Sequence, residues 1–342
     1  MRLLIILVSI LLFPTLVRAH HSFAEYDQKR TIEIAGTLSE VAWQNPHVRL
    51  KVQSLNAGKV ITWDIECHSV GILSRSNVDP KALKVGDKVK VAGNPSRLST
   101  TRLFGTNLLT SSGRELVMQG DVPPRWQASA PAFAGLGSGP AADQPSTTGI
   151  FKVWGSSFDD PEATPRALWS GSMSLTPAAQ KAVAAWDPLR DTVARDCNPK
   201  GMPTIMEQPY GLQFEDRGTT IVLRIEEYDT VRTIHMSDGS AKSAAKSLLG
   251  YSSAKWEGKT LVVTTTGISW PYIAPNGLPQ GPSSRLEERF TPAADGKRLA
   301  YTLTITDPDT FTTPPVLKRA WVWRADERLR RYACGTRQTV AQ

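Results

Sequence analysis

The sequence predicts a mostly β protein: a small OB-like five-stranded barrel, then a larger antiparallel lipocalin-like barrel, with one helix near residues 176–188. Three observations carry this. Apolar and polar residues alternate at period two from Thr31 to about Met118, and again after Cys197. Gly-containing turn pairs such as Ser112-Gly113, Asp238-Gly239, Glu257-Gly258 and Asp295-Gly296 punctuate the alternating runs. Between the two stretches, residues 121–149 are rich in Pro, Ala, Gly and Ser with no period, the composition of a linker.

The chain opens on Met1-Arg2 and an apolar run from Leu3 to Val17, ending in Val17-Arg18-Ala19. A positive start, a short apolar core and a small-x-small end make residues 1–19 an export signal, with His20 as the first mature residue. Ser22-Phe23-Ala24 is a second, poorer cleavage site. The run is too short for a stable membrane span once cleaved, so the expected setting is the periplasm. The domain at 20–120 then follows from its strands. Ile32, Ile34 and Leu38 share one face of "TIEIAGTLSEVAW", and Val48, Leu50 and Val52 share one face of "HVRLKV". "KVITWDIE" continues the pattern, "SVGILSRS" reads as a short helix, Val89 and Val91 point inward, and "GTNLLTSSGRELVM" forms the closing hairpin. One helix after the third of five strands suggests a closed Greek-key barrel.

The second domain is expected at 150–342. Thr176 is a good N-cap and Pro177 a good first helical residue for "AAQKAVAAWDPLRD", which Asp187-Pro188 stops. Six runs follow: "TTIVLRIEEY", "VRTIHM", "KTLVVTTTGI", "SSRLEERFT", "RLAYTLTITDP" and "KRAWVWRAD". Hairpin-connected strands of this kind argue an up-and-down barrel able to hold one small ligand.

Net charge is +8, two of whose positive residues, Arg2 and Arg18, lie in the signal. No Lys/Arg cluster is interleaved with aromatics, which argues against nucleic acid as a partner. In an oxidising compartment two of the three cysteines can pair. Cys197 and Cys334 bracket the second half and are the expected disulfide, leaving Cys67 over.

The stretches "HHSFAEYD", "GTLSEVAWQNPHVRL" and "LKVGDKVKVAGNPSR" resemble an uncharacterised family of exported bacterial proteins. The resemblance covers roughly residues 20–120 and implies a periplasmic setting without an established activity. The second half, about residues 190–335, resembles another uncharacterised exported barrel family through "CNPKGMP", "EEYDTVRTIHMSDG", "GYSSAKWEGKTLVVTTTG", "SSRLEERF", "YTLTITDPDTF" and "YAC". It departs from that family at Lys259, where an acid is usual, and after Cys334, where Gly335-Thr336-Arg337 replaces a Cys-His-Glu-Gly-Asn run.

Two constellations carry candidate chemistry. A first-residue His20 offers its α-amine and ring Nδ1 as a chelate, and a third nitrogen from His47, with His21 adjacent, would complete a T-shaped site suited to copper, a histidine brace. The competing reading is a frayed terminus and a capping histidine. Cys67-His68 is a poor metal pair, because neighbours on a strand face opposite sides. In the second barrel Ile221, Leu223 and Ile225 set the inward face, which makes Glu227 an inward acid near Arg232 or His235. That arrangement could orient a polar ligand or serve acid–base chemistry; the competing reading is a buried ion pair that fixes register. The Pro/Gly-rich tract at 270–282, with Trp270 and Tyr272, is expected over the barrel mouth, and Trp256, Trp321 and Trp323 are expected to line an apolar interior. Serine-elbow, phosphate-loop, HExxH, CxxCH and paired CxxC signatures are absent from the sequence, so no catalytic motif points to an enzyme.

Three functions therefore stand in order: a small-ligand binding or accessory protein, a copper-binding protein using His20 and His47, and a hydrolase or isomerase using Glu227 and His235. Nothing in the sequence sets an oligomeric state.

Overall fold

The computed structural model describes residues 23–75, 78–119, 122–127, 149–157, 160–191, 197–236, 245–325, 327–332 and 334. The expected signal and most of the expected linker lie outside them.

The first barrel is built from β1 (Ile32–Ala42), β2 (Arg49–Asn56), β3 (Lys59–Glu66), helix α1 (Val70–Arg75), β4 (Lys88–Pro95), β5 (Arg102–Leu109) and β6 (Glu115–Val117). The order β3-β2-β1-β4-β5, closed by a parallel β3–β5 seam, makes a five-stranded barrel, and β6 hangs on β5. Inward positions alternate as the pleat demands: Leu38, Val48, Leu50, Val52, Ile65, Val91, Leu103 and Leu108 are buried together. Bulges between Leu38 and Glu40, and between Ala92 and Gly93, increase the local bend that closure needs. At the second bulge a Cβ on Gly93 would run into the Phe104 carbonyl, so only glycine lets the strands close there.

The second barrel contains β7 (Val153–Gly155), helix α2 (Pro177–Ala185), β8 (Leu212–Asp216), β9 (Thr220–Ile225), β10 (Thr230–His235), β11 (Tyr251–Glu257), β12 (Thr260–Thr266), β13 (Arg285–Pro292), β14 (Arg298–Thr306) and β15 (Val316–Trp323). Nine strands close in the order β10-β11-β12-β13-β14-β15-β7-β8-β9. Two features differ from the sequence reading. β7, β8 and β11 add three strands to the six expected runs, β7 and β8 being too short to show a period, and the β10–β11 seam is parallel, Ile234 opposite Ser252, so the barrel is not antiparallel throughout. Helix α2 starts where expected, with Thr176 Oγ1 accepting from the Ala179 amide at 3.2 Å. It ends at Ala185, before Asp187-Pro188.

Cys197 and Cys334 are disulfide-bonded with Cα atoms 5.8 Å apart, and Cys67 is a buried free thiol. The barrels touch through a polar clasp. Asn45 Nδ2 donates to Glu226 Oε1 at 2.8 Å, and the Tyr210 hydroxyl donates to the Pro46 carbonyl at 3.3 Å. Among the described residues no helix is long and apolar enough to cross a membrane.

Candidate functional site

Alternation along β10 buries Thr230, Arg232 and Ile234 and turns Val231 and Thr233 outward. Arg232 therefore enters the barrel, 1% exposed. Its partner is Glu288 on β13, not Glu227. The guanidinium grips the Glu288 carboxylate through both Nη atoms, Nη1 to Oε1 at 3.0 Å, while Nη2 also donates to Thr265 Oγ1 at 2.7 Å and Nε to Ser252 Oγ at 3.1 Å. The Tyr301 hydroxyl donates to Glu288 Oε1 at 3.0 Å, and burial, with Glu288 beside it, raises the phenol's pKa well above the ordinary value. Every nitrogen of Arg232 is used. The cluster stitches β10, β11, β12, β13 and β14 to one another, which fixes their register.

Glu227 is not on a strand. β9 ends at Ile225, and Glu227–Asp229 forms a 3-10 turn in which Tyr228 (φ 59°) and Asp229 (φ 49°) adopt left-handed backbone. The turn carries the Glu227 carboxylate to Lys200 Nζ at 2.9 Å. His235 lies at the other end of β10, roughly 17 Å further along the strand, and its ring stacks on Tyr251 at 4.8 Å. Glu227 and His235 are not brought together.

Around Lys200 a second polar group assembles at one end of the barrel. The 3-10 turn Thr204–Glu207 places Glu207 beside it. Burial raises the Glu207 pKa, and Lys200 and the Trp169 indole only partly offset this. Burial also lowers the Lys200 ammonium, but Glu227 and Glu207 outweigh it and hold the charge. Behind Glu207, Arg319 on β15 points inward between Leu317 and Trp321. Its Nη1 donates to the Met206 carbonyl at 2.7 Å and its Nη2 to Ser156 Oγ at 2.9 Å, and the guanidinium lies 4.5 Å over the Trp321 ring. Burial pushes its pKa down to about 9, against the opposing fields of Glu207 and Tyr301. Arg319 Nε, Trp321 Nε1, Glu227 Oε2 and both amide atoms of Gln208 are buried without a hydrogen-bond partner.

The tract at 270–282 is fastened onto this end. Trp270 is 6% exposed, and its Nε1 donates to Thr204 Oγ1 at 2.8 Å. Tyr272 packs edge-on between Trp186 and Trp270. Trp256 sits at the end of β11, 41% exposed and edge-on to Phe151, whereas Trp321 is fully buried and Trp323 partly so. Lys200, Glu207, Gln208 and Arg319 escaped the sequence reading. Arg319 had a signal: in "KRAWVWRAD" it keeps phase with the apolar Leu317 and Trp321, an inward position for a charge.

In the first barrel the loop Asn45-Pro46-His47 carries the clasp residue and the histidine together, its Asn45–Pro46 peptide cis. His47 Nδ1 lies 2.9 Å from the Cys67 carbonyl. A carbonyl only accepts, so Nδ1 holds the proton, and Nε2, 3.7 Å from Glu66 Oε1, is the basic nitrogen. Glu66 Oε2 accepts from the Tyr26 hydroxyl at 3.1 Å and Arg49 Nη2 at 2.5 Å. The Cys67 thiol is pushed up by burial, then by Glu66. His68 turns away and meets Phe104 edge-on. His20 and His21 lie outside the described residues. Among the described residues, no three His, Cys, Asp or Glu side chains are placed to hold a metal ion.

No curated protein and no solved structure matches the chain. Residues 10–104 match a family of unknown function (DUF6152). The match runs from the expected signal into β5, in line with an uncharacterised family over the N-terminal part, and does not reach the second barrel.

Proposed function

We propose that the protein is an exported, periplasmic small-molecule binding or accessory protein that holds its ligand at the Lys200–Arg319 end of the larger barrel. The observation that carries this is the set of buried polar atoms on Gln208, Glu227, Arg319 and Trp321 that no protein group satisfies. Each such atom costs about 1–3 kcal/mol when left unpaired, and a bound polar molecule relieves several at once. The apolar start of the chain and the Cys197–Cys334 disulfide support export. The resemblance of the second half to an exported barrel family fits the same setting.

The test is native mass spectrometry of protein purified from the periplasm, followed by extraction and identification of any adduct. A small molecule that copurifies with the wild type and is lost from Gln208→Leu supports the reading. A bare mature chain, unmoved in melting temperature by a panel of metabolites, refutes it.

A second reading, copper binding through His20 and His47, is favoured by the Nδ1 contact of His47. A metal-binding imidazole commonly donates its other N–H to a backbone carbonyl, which fixes the ring and its tautomer. Copper titration of mature protein beginning at His20 should give one tight site that His47→Ala removes. Equal copper uptake by wild type and variant argues for a frayed terminus.

A further inference from the structure

Among the described residues three arginines of the second half are buried, Arg232, Arg319 and Arg324, and the first two are satisfied differently. Arg232 has a carboxylate and a partner for every nitrogen. Arg319, 2% exposed, makes no ion pair among the described residues; its Nη atoms meet two neutral oxygens, and its Nε meets nothing. A buried charge without a counter-charge is strongly disfavoured, more so than any neutral unpaired group. Glu207 is the acid whose field reaches Arg319, but the two form no ion pair among the described residues. Lys200 beyond it is already ion-paired with Glu227 at 2.9 Å.

The unpartnered donors here are Arg319 Nε, Trp321 Nε1 and Gln208 Nε2, and the unpartnered acceptors Gln208 Oε1, Glu207 Oε2 and Glu227 Oε2 call for a donor on the same guest. The guanidinium is held flat on Trp321 and fixed at both Nη atoms, so its Nε–H direction is set in advance. Trp321 Nε1–H, a donor only, is unpartnered on the residue beneath, and the fully buried Gln208 amide is unpartnered next to Met206 and Glu207. Fixed, desolvated donors around a positive charge recognise an oxygen-bearing anion.

We propose that Arg319, Trp321 and Gln208 form an oxyanion-recognition site inside the larger barrel, and that the ligand presents a compact oxyanion, a carboxylate or a phosphate, to Arg319. This rests on the small-ligand reading above and specifies its chemistry. The donors orient the ligand's anionic end inward, and the Lys200–Glu207 end faces its remainder.

The experiment is a thermal-shift and tryptophan-fluorescence titration of the full mature protein with acetate and with phosphate, against chloride at matched ionic strength. The expected result is a saturable rise in Tm for at least one oxyanion, about 5 °C or more at ~100 times the dissociation constant, absent with chloride. The stronger arm tells whether the natural ligand carries a carboxylate or a phosphate. Arg319→Met should abolish the shift. Trp321→Phe and Gln208→Leu should each weaken binding roughly tenfold, and they carry the test if Arg319→Met does not fold. No saturable shift with either oxyanion, or an equal shift in Arg319→Met, overturns the proposal. A neutral copurified molecule that binds wild type and Arg319→Met alike overturns the oxyanion site while leaving the barrel as a ligand carrier; no ligand and no shift remove both.

Discussion

Arg232 and Glu288 are 1% and 0% exposed in their side chains, and their contacts span five strands. Removing one partner strands the other charge in a medium that cannot solvate it. Arg232→Met should therefore cost about 3–5 kcal/mol in chemical denaturation, and Arg232→Met with Glu288→Leu should recover most of the loss. A single variant as stable as wild type would remove the pair from the barrel's frame. Sequence reading at this scale found Arg232 but gave it the wrong partner. Period two placed Glu227 inward only if β9 continued past Ile225. The left-handed residues Tyr228 and Asp229 break the strand there, and nothing in their side chains announces that. His47 was legible as a candidate from its type, whereas its Nδ1 contact with Cys67, twenty residues away, was not.

Single elements show how local chemistry pins the chain. Glu115 on β6 is 1% exposed. Its carboxylate accepts from the Arg125, Trp126 and Gln127 amides at 2.6, 2.8 and 2.7 Å, and from Asn107 Nδ2 at 2.9 Å. Burial alone would raise its pKa, but these four donors reverse the shift and lower it. Lys90 and Arg125 hold Glu33 at about 2. Both folded pKa values lie below the unfolded value of about 4.3. The stabilisation is complete above that value and is lost as pH falls through the folded pKa values. Acid titration from pH 5 to pH 2 should release residues 122–127 from the first barrel, read as a change in Trp126 emission, and Glu115→Gln should move the transition to higher pH. An emission unchanged down to global unfolding would show that the segment is held otherwise. In the second barrel Gly277 (φ 79°) abuts the Trp186 ring at the end of α2, where a Cβ would collide. Gly277→Ala should lower stability by about 1–3 kcal/mol through strain and overpacking, visible in a denaturant melt. Most elements were legible because alternation runs through six or more residues. β7 and β8, with three and five residues, were not, nor was β11, whose buried positions are the small Ser252 and Ala254, and the parallel β10–β11 seam has no local signature at all.

Over the whole molecule the informative contacts are long-range. Glu226 accepts from Asn45 of the first barrel through Oε1 and from the Arg330 amide through Oε2 at 3.0 Å, while Asp229 accepts from the Tyr332 amide at 3.0 Å. The C-terminal segment thus straps the left-handed turn, and the Cys197–Cys334 bond ties that strap down across 137 residues. Reduction, or Cys197→Ser with Cys334→Ser, should cost about 2–5 kcal/mol. It should also raise hydrogen exchange at residues 226–232 more than at β12 or β13. Uniform change across the barrel would indicate a purely unfolded-state effect. The two-barrel plan was readable from alternation and composition. The clasp was not, since Asn45 and Glu226 stand 181 residues apart and neither residue type is unusual at a surface.

The Asn45–Glu226 clasp joins two functional loops through one hydrogen bond. The loop that carries Asn45 also carries His47, and the turn that carries Glu226 also carries Glu227, which holds Lys200. Whatever coupling free energy that contact carries between the turn and the histidine loop is equal in both directions. On the two proposed readings together, a molecule taken up by the larger barrel should alter copper affinity at His47, and Asn45→Ala should remove that effect.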